Sequence, residues 1–320
     1  MIVQLYVLSN FVVNSTFFSE KLVAKGVRYS YYLCMHPEEI TIKWLGASGF
    51  ELRYGKRLVL VDPFLSRPYD ATPRLPITRQ DYRKFDMLLA THAHFDHFAD
   101  VPYLAATVDA HIFMPRCGKK DVKKAWRTLH QSARTGNPDK WHAYEETGRI
   151  RLDELRVTPL PGFHEVFDVP TVWEAIKRIF GHTPRNEAIR RGLDLVRMHP
   201  YGPTYAMHFD WQDRGSRMLF FGSLSRHVYN VTPDTGRTDV LAIPYCPANR
   251  QWMKETARLV QRFQPKALLV HHFDLWLPPI TLNLDLKTWR DRMEAQFPDV
   301  PIYFPKPLKE FTLEDVLAGK

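Results

Sequence analysis

Thr91-His92-Ala93-His94-Phe95-Asp96-His97 is the stretch that decides how this chain is read. It follows an apolar run, Met87-Leu88-Leu89-Ala90, and precedes a helix-like segment from about Phe98 to Ala106. Three histidines and one aspartate fall within six positions. Imidazole and carboxylate are the side chains with which proteins hold divalent zinc, iron or manganese. A strand repeats every two residues, so His92 and His94 project to one side if the strand continues through them. Asp96 and His97 fall where the chain turns before the helix, placed to hold a second ion or to orient the first. Scattered loop histidines are the bland alternative, and the tight H-x-H-x-D-H spacing behind a buried strand argues against it.

Composition bounds the rest. With 320 residues, 45% hydrophobic and 25% charged, the chain reads as an ordinary globular protein of one large domain or two modest ones. Cys34, Cys117 and Cys246 have no paired spacing, which disfavours a disulfide framework or a cysteine zinc site. The net charge of +9 favours anionic partners, but the basic residues are spread along the chain. Their densest cluster, Lys119-Lys120 with Lys123-Lys124 and Arg127, has the spacing of a solvated helix face. The apolar start, Met1 to Val13, carries no preceding Lys or Arg, no cleavage site is evident, and no run reaches a membrane span of about 20 apolar residues. The expectation is a cytoplasmic protein with an N-terminal extension, 1–39, and one main domain with a C-terminal tail, 40–320.

From Ile40 the pattern is regular. Ile40–Leu45, Phe50–Tyr54 and Arg57–Val61 read as strands, with turns at Gly46–Gly49 and Gly55-Lys56, and Asp62-Pro63-Phe64 ends the third. The glycines match no nucleotide-binding fingerprint. Asp86–Ala90 and His111–Met114 read as strands, Asp121–His130 as helix, and 131–148 as loop. Arg149–Pro159 holds two strand-like pieces, followed by a Pro161-Gly162 turn that sets His164 up as a ligand. Residues 166–203 form an insert with helical spacing at Val172–Phe180 and Asn186–Arg197, read as a lid, with an interface or a membrane-facing surface as alternatives. Thr204–Phe209, Arg217–Phe221, Asp239–Pro244 and Lys266–Val270 read as strands, Gln251–Phe263 as helix, and a short helix is expected at Leu313–Leu317.

A strand followed by a ligand-type residue recurs at Asp62, His92–His97, His164, Gly222-Ser223 and His271-His272. That ordered set resembles the metallo-β-lactamase fold superfamily of metal-dependent hydrolases, over about residues 40 to 280. Trp44-Leu-Gly-Ala-Ser-Gly-Phe50 with Val61-Asp62-Pro63-Phe64 looks like the branch holding ascorbate-6-phosphate lactonases and the N-acylphosphatidylethanolamine phospholipase D group. The resemblance implies an α/β fold, a four-layer αββα sandwich with the site at one edge of its two sheets. It implies that His92, His94 and His164 hold one metal, that Asp96, His97 and His272 hold a second, and that buried Asp62 supports them. His271 is the alternative to His272, whose His-aromatic-Asp ending fits better. Two departures stand out. Ser223 occupies the position where the family usually has an aspartate bridging both metals, which implies a weakening of at least one metal position and a reduced preference for a dinuclear site, and Ala47 stands where many relatives have histidine. His227 is a candidate for compensation.

The chemistry implied is hydrolysis by a metal-activated water, with Asp96 accepting a hydrogen bond from it. Zinc is the leading ion, with manganese or iron as alternatives and one or two ions per chain. No Gly-x-Ser-x-Gly elbow is present. The expected substrate is a small or lipid-like anionic molecule with an ester-type bond, a phosphodiester or a lactone. A nuclease of the same fold and a non-catalytic, degenerate metal-binding scaffold are the competing readings, and association into a homo-oligomer is left open.

Overall fold

The structure is a computed structural model. It describes residues 39–164, 169–182, 202–224, 236–245, 252–279, 281 and 285–319, all within the unit Pro37–Lys320. The N-terminal extension, the expected helix at 186–197 and His227 lie outside the described residues.

Among the described residues, two seven-stranded sheets form the framework. The first begins with the meander β1 (Ile40–Trp44), β2 (Phe50–Tyr54) and β3 (Arg57–Val61), paired antiparallel. Gly55, at φ +57°, supplies the left-handed turn between β2 and β3. From β3 the sheet continues in parallel through β4 (Met87–Leu89), β5 (His111–Met114) and β6 (Trp141–Ala143). The second sheet holds β7 (Ile150–Leu152), β8 (Leu155–Gly162), β9 (Thr204–Trp211) and β10 (Ser216–Phe221), all antiparallel. It continues in parallel through β11 (Val240–Pro244), β12 (Ala267–His271) and β13 (Ile302–Tyr303). The chain then crosses back, and β14 (Glu310–Thr312) pairs with β1 at the edge of the first sheet.

Three apolar layers explain why the strands read as they do. Val59, Val61, Met87 and Leu89 face the interior between the sheets with Met207, Phe209, Met218 and Phe220. Their neighbours Leu60, Leu88 and Ala90 face outward, onto helices α1 (Phe95–Phe98), α2 (Val101–Thr107) and α3 (Lys119–Thr128). Both faces of β4 are therefore buried, and Met87-Leu88-Leu89-Ala90 is a continuous apolar run rather than an alternating one. On the far side Leu241, Ile243, Leu268 and Val270 pack against α5 (Trp252–Phe263) and α6 (Leu286–Gln296). The order is helix, sheet, sheet, helix, as expected of the αββα sandwich. In the insert, α4 (Val169–His182) covers the expected Val172–Phe180 helix, burying Ala175 and Ile179 and exposing Trp173 and Phe180.

Several elements differ from the sequence reading. β6 lies inside the supposed loop 131–148. Three residues carry no periodicity, and only pairing with β5 makes them a strand. Pro161-Gly162 is no turn, because both pair with β9, opposite Tyr205 and Thr204. Helix α6 leaves little trace in the sequence because it buries only Trp289 and Met293, one turn apart, on an otherwise charged segment. The tail's β13 and β14 are short edge strands defined by their partners. Its terminal helix, α7 (Leu313–Ala318), falls where expected, started by a Thr312–Asp315 capping box and ended at left-handed Gly319.

Candidate metal centre

The centre gathers where β3, β4, β8 and β12 end. Asp62 follows β3 at φ +42° and is wholly buried. Its amide donates to Leu89 O at 3.0 Å, the last rung beside β4. Its carboxylate then captures the chain leaving β4: Oδ1 accepts from Thr91 N at 2.6 Å and Oδ2 from Thr91 Oγ1 at 2.6 Å. This diverts residues 91–94 from the ladder. His92 and His94 thus stand on a loop, not on a continued strand. They still share a side, with ring centroids 4.6 Å apart. Asp96 and His97 are likewise not in a turn before the helix. They lie on α1, whose first turn begins at Phe95.

Thr91 is the residue the sequence reading missed. Its one hydroxyl hydrogen goes to the carboxylate of Asp62, which can only accept. At 2.9 Å from His92 Nδ1, the same hydroxyl must therefore accept from an Nδ1–H. That fixes the His92 tautomer and leaves Nε2 with its lone pair. Burial, then the neighbouring His97, His94 and His164, hold the His92 pKa well below its usual 6.5, so the ring is neutral. His97 is oriented in the same manner, its Nδ1 2.7 Å from Asp62 Oδ2. Only a serine-like residue just ahead of the first histidine hinted at this bridge.

Side chains converge from four segments. One ligand atom each from His92, His94 and His164 lie within 4.8 Å of one another, as do those of Asp96, His97 and His272. The His92 and His97 ring centroids are 3.9 Å apart, so the two triads adjoin. Asp62 also falls within this distance of His92 and His97, but its oxygens are already engaged, which suits a supporting group better than a ligand. His272 Nε2 is 3.1 Å from Asp96 Oδ2, and His97 Nε2 is 3.4 Å from the same atom. Burial opposes ionisation of Asp96, yet His97 and His272 hold its carboxyl well below the usual range. Burial likewise opposes charge on His97, but Asp96 and Asp62 push it up to about 10. The pocket therefore demands positive charge between these groups.

His272 and His271 are separated by backbone geometry. His271 remains in β12, stacked on Phe220 at 4.8 Å, with Nδ1 3.3 Å from Ser48 Oγ. His272 turns away at φ +62°, its amide donating to Ala47 O at 2.9 Å. Ala47 N in turn donates to Asp274, at 3.0 and 3.1 Å, and Asp274 pairs with the shielded guanidinium of Arg67. Ala47 thus contributes its backbone to the placement of His272. Gly222 packs against the centre so closely that a Cβ would sit 2.1 Å from Thr91 Oγ1 and 2.9 Å from Asp62 Oδ2. Ser223, which follows it, is buried.

The donor set fits a divalent cation. Two of its buried atoms, His92 Nε2 and Asp96 Oδ1, have no hydrogen-bond partner, and such atoms in an interior are costly unless something binds them. Imidazoles beside a carboxylate are what zinc, iron or manganese use, and a bound cation would take the place of the proton that Asp96 and Asp62 favour on His97.

A model of the beta-lactamase superfamily domain matches residues 57–273, two thirds of the chain. The chain belongs to that superfamily. It is 23% identical over 244 residues to a metal-dependent hydrolase of Pyrococcus furiosus, covering 76% of this chain and 88% of that one. Among solved structures it is similar to a metallo hydrolase of the archaeon Ignicoccus hospitalis, at 15% identity and a TM-score of 0.57, over 86% of this chain and 98% of that one. A diiron beta-hydroxylase of Streptomyces venezuelae also shares the fold, at 15% identity and a TM-score of 0.51, over 87% of this chain and 54% of that one. Family, relatives and centre agree on a metal-dependent hydrolase of the metallo-β-lactamase fold. Among the described residues no helix is long and apolar enough to cross a membrane.

Proposed function

We propose that the enzyme hydrolyses an ester-type bond, a phosphodiester or a lactone, in a small anionic substrate. The observation that carries this reading is the pair of adjoining triads, whose ligand atoms lie within 4.8 Å in each. His92, His94 and His164 hold one divalent ion, with zinc favoured. Asp96, His97 and His272 hold a second. When bound, such an ion would lower the pKa of water to about 7 and polarise the bond under attack.

The protein's own groups do the rest. Thr91 and Asp62 fix the tautomers of His92 and His97, so that each presents Nε2 to the site. Asp96, with Oδ1 unpartnered, accepts a hydrogen bond from the attacking water and steers it. No side-chain nucleophile is needed. The net charge of +9 and the resemblance to lactonase and phospholipase D relatives both support an anionic substrate.

The test is metal content per chain in protein purified without chelators, followed by a screen of phosphodiesters and lactones. One or two equivalents of metal, with hydrolysis of either class abolished in His92→Ala, is the expected result. Metal-loaded protein that cleaves neither class would overturn the substrate assignment, and full activity in His92→Ala would overturn the ligand assignment.

A further inference from the structure

A second polar site lies on the outer face of the second sheet. Strand alternation puts Val157, Phe209 and Met218 in the inter-sheet core, so Arg156, His208, Asp210 and Arg217 face outward. Register aligns them: Arg151 stands opposite Arg156, Arg156 opposite Asp210, and Asp210 opposite Arg217. One row across four strands thus carries three guanidiniums and a single carboxylate. Like charges directly opposite one another destabilise a sheet, and Arg151 against Arg156 is such a pair.

A pocket of about 290 Å³ opens on this row, lined by Arg149, Arg156, Thr158, His208, Asp210 and Arg217 over a floor of Leu160. Its size is at the small end of ligand sites, which run from roughly 300 Å³ upward. Asp210 does not neutralise it. Its carboxylate accepts from Arg217 Nε at 3.2 Å and is 3.9 Å from Arg156 Nη1. Arg156 Nε and His208 Nε2 are both buried with no hydrogen-bond partner. Surplus guanidinium charge, unpartnered buried nitrogens and a hydroxyl around one small cavity call for a compact dianion with several acceptor oxygens.

We propose that this pocket binds a phosphate dianion, either inorganic phosphate or the terminal phosphate of a small monoester. The site is separate from the metal centre. It faces away from the inter-sheet interior, and roughly 20 Å of extended strand separates Arg156 from Gly162, where β8 ends before His164. The inference is independent of which bond the metal centre cleaves.

The test is calorimetric titration of the metal-loaded full chain with inorganic phosphate at low ionic strength, with glycerol 3-phosphate as a second probe and chloride as control. Binding of either probe is expected to weaken by about tenfold or more in Arg149→Gln and in Arg156→Gln and to persist in His92→Ala. Arg149 is exposed and precedes β7, so its replacement removes no strand pairing. The stronger of the two probes identifies the source of the phosphate. No binding by the native chain, binding unchanged in both arginine variants, or binding lost in His92→Ala would each overturn the proposal.

Discussion

Asp62 and His97 are joined by a 2.7 Å contact from Oδ2 to Nδ1, while the same oxygen accepts from Thr91. One wholly buried carboxylate thereby sets two imidazoles, His97 directly and His92 through the hydroxyl of Thr91. Asp62→Asn keeps the shape but removes the charge and part of the accepting capacity. Outer-shell changes of this kind weaken metal binding by about 10- to 100-fold. The expected outcome is a loss of that size for the weaker-bound ion, measured by chelator competition, with hydrolysis reduced in parallel. Unchanged affinity would show that Asp62 only supports the loop.

Arg67 and Asp274 form a pair whose side chains are only 5% and 3% exposed. The carboxylate also receives the Ala47 amide, and Ala47 O receives His272 N, so the pair braces the last histidine of the centre. Removing one partner of a buried pair leaves an uncompensated charge, costing roughly 3–5 kcal/mol. Arg67→Ala is expected to lower stability on that scale in urea unfolding, while Arg67→Ala/Asp274→Asn recovers part of the loss. A double variant no more stable than the single one would place the stabilisation elsewhere.

Ser223 follows Gly222, which has no room for a Cβ beside Thr91 and Asp62. A carboxylate introduced there adds negative charge to that already supplied by Asp96 and Asp62. Ser223→Asp is expected to raise affinity for a second ion and to move the metal content towards two equivalents, read by elemental analysis across a metal titration. A stoichiometry identical to that of the native chain would show that position 223 does not reach the ions.

How much of this was legible beforehand follows the reach of each signal. The His92–His97 cluster and the doubly buried β4 are local patterns, and both carried through to the structure. β6, β13 and β14 owe their strand character to partners distant in sequence, and no periodicity of two or three residues could reveal them. Pro161-Gly162 misled because its composition signals a turn, whereas β9 imposes an extended backbone through register. The supporting shell of Thr91, Ser48, Arg67 and Asp274 was silent for a different reason. A hydroxyl or an ion pair becomes informative only once the fold places it against a partner, as Thr91 is with Asp62 at 2.6 Å.

Glu51 gives a prediction about acid stability that is separate from the centre. Its side chain is 5% exposed, accepting from Tyr82 Oη at 2.8 Å and pairing with Lys43 and Arg53. Burial pushes its carboxyl up, but Tyr82, Lys43 and Arg53 outweigh that and set it below the usual 4.5. A carboxyl lowered in the folded state releases its proton more readily there than in the unfolded chain. Its contribution is therefore complete above the unfolded value and is lost as pH falls through the folded one. Glu51→Gln should be less stable than the native chain at neutral pH, and the gap should narrow as the solution is acidified below 4.5. Urea unfolding of both proteins across that range checks it, and a gap that stays constant with pH would mean that Glu51 acts through packing and hydrogen bonding rather than through its charge.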